Sequence, residues 1–564
     1  MDFHFRQGIK NIPEICDRYG VQKAVISPGS RNAPLIFAFA GHGEIDCLSI
    51  TDERSAAYFA LGMVQQSSRP VALVCTSGTA VLNYAPAISE AYYQHLPLLI
   101  FTADRPQEMI DQTDGQTLRQ DNIFANYIKA SFTIPTETVS ETDLRFSDRQ
   151  VAQAINTALT YPQGPVHINV PLREPVYVAL PETHSHPKII KTTDITAKIE
   201  DAQLQQLQTD WVRHKRKLIV FGIFPKSEVM AELADKLSKQ SDVVVIAENL
   251  SNITGDYVVT QPESLFSRIN NKTDNSEFAP DLLITIGNSV ICKQLKMFLR
   301  KHPAAEQWQI ESTMPYADTY YSLTSILPVK AIDVLPLMPY IETGSNFANM
   351  YLSEVSVIEK QHRSFVDNPS LSDMTVTKAV LEQIPQKSVL QLANSTSVRW
   401  TQLFPTQPGI TYLCNRGVSG IDGSLATAAG YALLSDKPTV FLTGDLSFIY
   451  GANGLWHNHV SNNLKIIVMN NNGGNIFRFI GDKQLMDNCL ELFTTPHNTK
   501  IKSLADAYGI DYLSCSGTEE LSSKLDVLFN STKAMILEIF TDSDANTEAY
   551  REYFRNIKLE TQNT

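Results

Sequence analysis

Two clusters of hard oxygen donors lie close together in residues 438–475, PTVFLTGDLSFIYGANGLWHNHVSNNLKIIVMNNNGGN. One is the Gly444-Asp445 step, continued by Leu446 and Ser447; the other runs from Asn470 to Gly474, and Asn471 follows Asp445 by 26 residues. A carboxylate, an amide oxygen and the bare carbonyls of a glycine turn suit a hard divalent cation such as Mg²⁺ holding a diphosphate, and do not suit a thiolate metal. Asn-Gly clusters after strands also serve as plain turns, so other parts of the chain have to decide.

Glu53, in SITDERSAAYFALG, follows a strand and opens a helix. Its plainer role is an acidic first turn that complements the helix dipole. Hydroxyls, amides and cations recur at comparable places: Ser30 and Arg31 in SPGSRNAPL, Arg105 in TADRPQE, Gln116 in DGQTLRQ, Lys293 in GNSVICKQ, Ser395 and Arg399 in ANSTSVRW, and Arg416 in CNRGVSGIDG. A lone cation is commonly a solvated surface charge. Five of them at strand-to-helix loops predict a pocket for several carboxylates, because the arginine fork matches carboxylate geometry.

The elements that must present these groups are short apolar strands followed by helices. PTVFL and LKIIVM are β-branched runs joined by a stretch that suits a helical crossover, so both oxygen clusters are predicted at the carboxyl ends of adjacent parallel strands, where doubly wound sheets place ligands. Upstream, KAVIS, DCLSI, VALVC, LPLLIFTA and PVHINV alternate with helical patterns to residue 185, and residues 186 to 215 read as a polar linker. KLIVFGI, DVVVIA, DLLITIGN and QWQIES make a second set; SVLQLAN, ITYLCN, the two oxygen-bearing strands and AMILEIF make a third. The expected fold class is α/β, with three doubly wound parallel-sheet domains over residues 1–185, 186–350 and 351–564.

Size and composition agree with this division. A chain of 564 residues exceeds one core, and a prior of about 150 residues per domain gives three or four. A net charge of −13 without a basic run argues against nucleic-acid binding. Seven scattered cysteines without a CxxC predict neither a disulfide framework nor a zinc site, and a reducing cytoplasm is expected. No stretch approaches the roughly 18 apolar residues of a membrane span, and the first twenty residues lack the apolar core of a signal peptide, so neither export nor membrane insertion is expected.

GDL followed by the Asn pair resembles the diphosphate-binding motif of thiamin diphosphate enzymes, whose domains are pyrimidine-binding, central and diphosphate-binding in chain order. That resemblance implies that Asp445, the Asn471 side chain and the Gly473 carbonyl bind Mg²⁺ (or Mn²⁺), with Gly444, Leu446 and Ser447 beside the diphosphate. It also implies that Glu53 is the catalytic glutamate that hydrogen-bonds N1′ of the aminopyrimidine. At a finer level, SPGSR, DERSAAYFALG, TSGTAVLN, TADRP, NRGVSGIDG, GDLS and NNNGGNIF together resemble the 2-succinyl-5-enolpyruvyl-6-hydroxy-3-cyclohexene-1-carboxylate synthases of menaquinone biosynthesis. Leu446 fits there, since that family has GDLS where its relatives have GDG.

The finer resemblance spans nearly the whole chain and implies a transferase that decarboxylates 2-oxoglutarate and adds the succinyl-semialdehyde carbanion to isochorismate in a 1,4 sense. By position it assigns Ser30, Arg31, Arg105, Gln116 and Lys293 mainly to isochorismate, and Ser395, Arg399 and Arg416 mainly to the succinyl-derived part. Ile421 would support the bent cofactor, with Ile476 and Phe477 as an apolar wall. A homodimer with active sites at the subunit interface is implied, alone or paired into a tetramer. Gln294 stands where that family often has a second basic residue, which puts one carboxylate contact in question. Two alternatives stay open: another thiamin diphosphate-dependent decarboxylase or carboligase of the acetohydroxyacid-synthase kind, and a catalytically silent scaffold that binds a diphosphate.

Overall fold

Apolar, β-branched runs flanked by polar turns form three all-parallel sheets in a computed structural model that describes residues 5–182, 186–193, 197–340, 344–367, 370–480 and 488–559. The first sheet holds β1 (Lys23–Ile26), β2 (Asp46–Ser49), β3 (Val71–Cys75), β4 (Leu98–Asp104), β5 (Ser131–Thr133) and β6 (Val166–Pro171), in the order β2-β1-β3-β4-β6-β5. The middle sheet holds β7 (Lys217–Phe221), β8 (Val243–Ala247), β9 (Leu282–Ile286), β10 (Glu306–Ile310) and β11 (Ser325–Leu327), in the order β11-β10-β9-β7-β8. The third holds β12 (Val389–Leu392), β13 (Thr411–Cys414), β14 (Thr439–Gly444), β15 (Leu464–Asn470), β16 (Asp511–Cys515) and β17 (Met535–Phe540), in the order β13-β12-β14-β15-β17-β16. The first and third sheets therefore share one topology.

Three strands escaped the reading by apolar runs: β5, β11 and β16. Each is a sheet edge, and their residues are in large part half-buried or exposed, so they lack the continuous apolar signature of a central strand. The expected linker also contains a helix, Asp201–Arg213, started by a Glu200–Gln203 capping box and anchored through buried Leu207 and Trp211. Residue 185, the end of the first expected domain, lies outside the described residues, and the helix Phe347–Val366 runs across 350 and 351. The crossover between β14 and β15 is a short helix, Asp445–Tyr450, followed by a 3₁₀ turn, Ala452–Leu455.

One helix crossing ties the first domain to the third. The helix Glu53–Ser67 meets the helix Ser424–Leu434 at backbone distance: a Cβ on Gly62 would lie 1.9 Å from the Thr427 carbonyl oxygen, and one on Gly430 would lie 2.0 Å from that of Phe59. Glycine is required at both places, since any side chain would force the helices apart. Around the crossing, the Tyr58 hydroxyl donates to Asp422 at 3.1 Å and the Asn453 amide to Asp52 at 2.8 Å. The buried Glu90 carboxylate accepts the N–H groups of Gly417 at 2.6 Å and Val418 at 2.8 Å. These contacts fix the loop 416–423 against the base of the helix that Glu53 begins.

Candidate cofactor and substrate site

Parallel pairing of β14 with β15 aligns Gly444 with Met469, so Asp445 and Asn471 emerge from neighbouring strands at the same end of the sheet. Asp445 is 2% exposed. Its Oδ1 accepts the Leu446 N–H at 2.6 Å, its Oδ2 accepts the Gly473 N–H at 2.9 Å, and the His497 Nε2 stands 3.3 Å from Oδ2. Burial pushes the Asp445 pKa up, and the two backbone donors and His497 pull against that shift.

Asn471 is also buried. Its Nδ2 donates to Asp373 Oδ2 at 3.0 Å, while its Oδ1 is buried without a hydrogen-bond partner. Gly473 adopts φ 143°, and a Cβ there would meet the Thr494 carbonyl oxygen at 2.4 Å, so glycine is the residue this turn can hold. A buried amide oxygen left unpaired beside a buried carboxylate is an open valence, and it fits a cation. Among the described residues no group of three His, Cys, Asp or Glu side chains could hold a metal. One carboxylate with neutral oxygens, completed by substrate or cofactor phosphates, is the donor composition Mg²⁺ favours.

The other third-domain candidates lie on loops at this same end of the sheet or follow the cradle residues directly in the chain. The Ser447 hydroxyl donates to the Ile421 carbonyl at 2.6 Å, tying the helix that follows Gly444 to the loop presenting Ile421, which is 38% exposed. Leu446 is half-buried, and Ile476 and Phe477 follow the glycine turn, with the Phe477 ring 5.4 Å from Phe493. Ser395 has a positive φ of 73° and gives its carbonyl to Arg399 Nη1 at 2.7 Å. Arg416 Nη1 donates to Asn394 at 3.0 Å, whereas its Nε is buried without a partner. Burial of part of the side chain, and then the nearby charge of Arg416, lowers the Arg399 pKa.

The first-domain candidates are engaged differently. Asp52 caps the helix Glu53–Ser67 by accepting the Ser55 N–H at 2.9 Å, which sets Glu53 at the helix entrance. Burial raises the Glu53 pKa, and its charge reaches Cys75 and Tyr84. Arg31 is 6% exposed, donates to the Leu172 carbonyl at 2.9 Å and pairs with Glu174 at 2.8 Å. Arg105 pairs with Asp114 at 3.3 Å, donates to the Gly115 carbonyl at 2.8 Å, and lies 3.8 Å from the same Glu174. Ser30 is exposed, and Gln116, at φ 58°, has an exposed side chain on a backbone held by the Ser77 hydroxyl at 2.8 Å.

In the middle domain Lys293 is exposed at the start of the helix Lys293–Lys301, and the Gln294 Oε1 accepts the Asn270 amide N–H at 3.1 Å. Sequence reasoning missed the acids that set this loop. Fully buried Glu248 accepts the N–H of Ile291 at 2.6 Å and that of Cys292, and Glu263 accepts that of Lys293 at 3.2 Å. Burial lifts Glu248 to about 7. Also missed were Lys296, close enough to Glu248 and Arg416 to feel both charges, and Asp373, His497 and Glu174. These contacts join residues far apart in the chain, and no local motif announces them.

Comparisons with known proteins agree with this geometry. Residues 6–124 match the family described as thiamine pyrophosphate enzyme, N-terminal TPP binding domain, and residues 394–539 match thiamine pyrophosphate enzyme, C-terminal TPP binding domain. The chain is 38% identical to a 2-succinyl-5-enolpyruvyl-6-hydroxy-3-cyclohexene-1-carboxylate synthase of Flavobacterium psychrophilum over 97% of this chain and 98% of the relative. It is 37% identical to that of Flavobacterium johnsoniae and 36% identical to that of Christiangramia forsetii, with the same coverage of both chains. The chain belongs to the 2-succinyl-5-enolpyruvyl-6-hydroxy-3-cyclohexene-1-carboxylate synthase family of thiamin diphosphate enzymes.

Proposed function

We infer that the chain catalyses the thiamin diphosphate-dependent decarboxylation of 2-oxoglutarate and the transfer of the remaining four-carbon unit to isochorismate by 1,4-addition, a step of menaquinone biosynthesis. The observation that carries the reading is the buried, unpaired Asn471 Oδ1 beside Asp445, in a chain whose relatives carry that name over their full length. Thiamin diphosphate, when bound, supplies the electron sink that lets a 2-oxoacid lose CO₂. Asp445, Asn471 and the Gly473 carbonyl would hold Mg²⁺ (or Mn²⁺) against its diphosphate, and Glu53 would hold a proton at N1′ of its pyrimidine.

The chain's cations do the remaining work. Two dicarboxylate substrates must approach one another, and each brings negative charge into a space that already holds a diphosphate. Arg399, Arg416, Lys293, Arg31 and Arg105, with Ser30, Gln116 and Ser395 as neutral donors, bind and orient their carboxylates and screen that repulsion. Ile421, Ile476 and Phe477 form an apolar wall that keeps water from the reacting carbon. The Glu53 carboxyl and the cradle come together across a homodimer, and exposed Val418, Tyr450 and Trp456, near the helix crossing, offer an apolar face to the second subunit. A cytoplasmic setting accords with cysteines that form no disulfide among the described residues. No described helix is long and apolar enough to cross a membrane.

The test is to mix the protein with thiamin diphosphate, Mg²⁺, 2-oxoglutarate and isochorismate and to follow CO₂ release together with isochorismate consumption. One CO₂ per isochorismate consumed is expected. CO₂ release that ignores isochorismate would move the chain to a simple decarboxylase, and binding of the cofactor without CO₂ release would leave a scaffold.

A further inference from the structure

The Asn471 amide has two orientations of nearly equal shape, and the one observed leaves Oδ1 buried without a partner at the strand end next to that of Asp445. What selects that orientation lies almost a hundred residues upstream. Asp373 begins the helix Asp373–Gln383 and is fully buried. Its Oδ2 accepts the Asn471 Nδ2 at 3.0 Å, and its Oδ1 accepts the Thr541 hydroxyl at 2.6 Å. Its own N–H donates to Asn546 Oδ1 at 2.7 Å, and the Asn546 amide donates to Thr541 Oγ1 at 3.1 Å. The Ser543 hydroxyl donates to the Asn471 carbonyl at 2.6 Å, which fixes the backbone from which the amide projects.

A flipped amide would set its oxygen against a carboxylate oxygen and leave a buried acceptor pair unbridged, an arrangement that carries both a lost hydrogen bond and charge repulsion. We propose that Asp373 is the positioning residue of the metal cradle: it locks the Asn471 amide with Oδ1 toward the cation and strengthens that oxygen as a donor. The proposal rests on the reading of Asp445, Asn471 and Gly473 as the cation site. A plainer role for Asp373, a satisfied helix-start acid, accounts for the bonds to Asn546 and Thr541; it leaves unexplained why the Asn471 amide is held by its nitrogen while its buried Oδ1 has no partner.

The experiment titrates Mg²⁺ into the full-length protein at saturating thiamin diphosphate and reads binding by calorimetry and by the quench of intrinsic fluorescence, with the melting temperature of the cofactor-free protein recorded alongside. Asp373→Asn is expected to weaken Mg²⁺ binding by roughly 10–100-fold, the usual consequence of losing an outer partner of a metal ligand, without a matching fall in cofactor-free stability. In the double variant Asp373→Asn/Asn471→Asp the same hydrogen bond runs the other way and a carboxylate oxygen faces the cation, so affinity should return toward that of the wild type. Unchanged affinity in Asp373→Asn, where Asp445→Ala abolishes binding, would overturn the proposal and leave the cradle standing. Unchanged affinity in Asp445→Ala would remove the cradle itself. Should Asp373→Asn fail to fold, Thr541→Val, which frees the far oxygen of Asp373, carries the same test: a smaller loss supports the proposal and no loss overturns it.

Discussion

The first and third domains have the same strand order and opposite chemistry. Counted from the start of each sheet, the first strands, β1 and β12, both lead into a serine and an arginine: Ser30 and Arg31 in one, Ser395 and Arg399 in the other. The second strands diverge, since β2 leads to Glu53 and β13 to Arg416 and Ile421. At the third and fourth strands the polarity reverses. Where β14 and β15 end on the acceptors Asp445 and Asn471, β3 and β4 end near the donors Ser77 and Arg105. On the reading proposed above, the acceptors that would hold a cation belong to the third domain alone, while cations for substrate carboxylates stand in both.

The two also differ in readiness. In the third domain the acceptor Asn471 Oδ1 and the donor Arg416 Nε are buried without a hydrogen-bond partner. In the first domain Arg31 and Arg105 are ion-paired to Glu174 and Asp114 and donate to backbone carbonyls, although Arg105 Nε likewise lacks a hydrogen-bond partner; on the proposed reading an incoming carboxylate exchanges with the chain's own acids.

This contrast can be broken most decisively at Glu53 and Asp445, the two acids proposed to face the cofactor. Glu53→Gln removes the group that moves a proton while leaving the cradle intact, and the expected result is a loss of about 10²–10⁴-fold in kcat with nearly unchanged cofactor affinity. Asp445→Ala should do the reverse, weakening Mg²⁺-dependent cofactor binding by at least about 100-fold in calorimetric titrations. If both variants lost cofactor affinity equally, the division of labour between the domains would be wrong. Next in size is Arg416→Ala. Loss of charge-assisted hydrogen bonds to one carboxylate, about 1.5–3 kcal/mol, should lower kcat/KM for 2-oxoglutarate by roughly 10–100-fold. An equal effect on isochorismate alone would exchange the substrate assignments of the two domains.

Glu174→Gln sharpens the comparison from the other side. Its carboxylate bridges Arg31 and Arg105 but is 64% exposed, so its hold on them is that of a surface ion pair, about 0.2–1 kcal/mol. If it competes with a substrate carboxylate, its removal should lower the KM for isochorismate by about 1.5- to 5-fold at unchanged kcat. A raised KM would mean instead that Glu174 aims Arg31 and does not occlude it.

Central strands and glycine turns were legible because burial on both faces writes itself as an unbroken apolar run, and the placement of Asp445, Asn471 and Gly473 at one end of the sheet was legible because they follow such runs. The edge strands β5, β11 and β16 were not, since a half-solvated edge needs no such run. The helix Asp201–Arg213 was read as linker because only Leu207 and Trp211 of its residues are buried. Partners such as Asp373 for Asn471 or Glu248 for the Lys293 loop were invisible for a different reason. Their roles are made by tertiary contact, and a lone acid in SLSDMTVTK carries the same local signal whether it caps a helix or aims a metal ligand.

The smallest effect at neutral pH belongs to β6, beside the edge strand of the first sheet. His167, on β6, is fully buried; its Nε2 lies 2.7 Å from the Thr102 hydroxyl and its Nδ1 lies 3.3 Å from that of Ser131, with the Phe124 ring against its face. No carboxylate is among these neighbours, and burial alone depresses its pKa to about 3. Because the folded-state value lies below the unfolded value near 6.5, the stabilisation this neutral imidazole brings is complete above pH 6.5 and is lost progressively as the pH falls toward 3, when the unfolded chain binds a proton that the folded one refuses. Buried Glu248, raised to about 7, works in the opposite sense, favouring the fold as the pH drops from 7 toward 4.5, so the whole-protein profile mixes both. The difference between wild type and His167→Gln isolates one of them. Any melting-temperature penalty of the variant measured at pH 7.5 should shrink steadily below pH 6.5, and a penalty that stayed constant down to pH 4 would mean that His167 is not held neutral in the folded sheet.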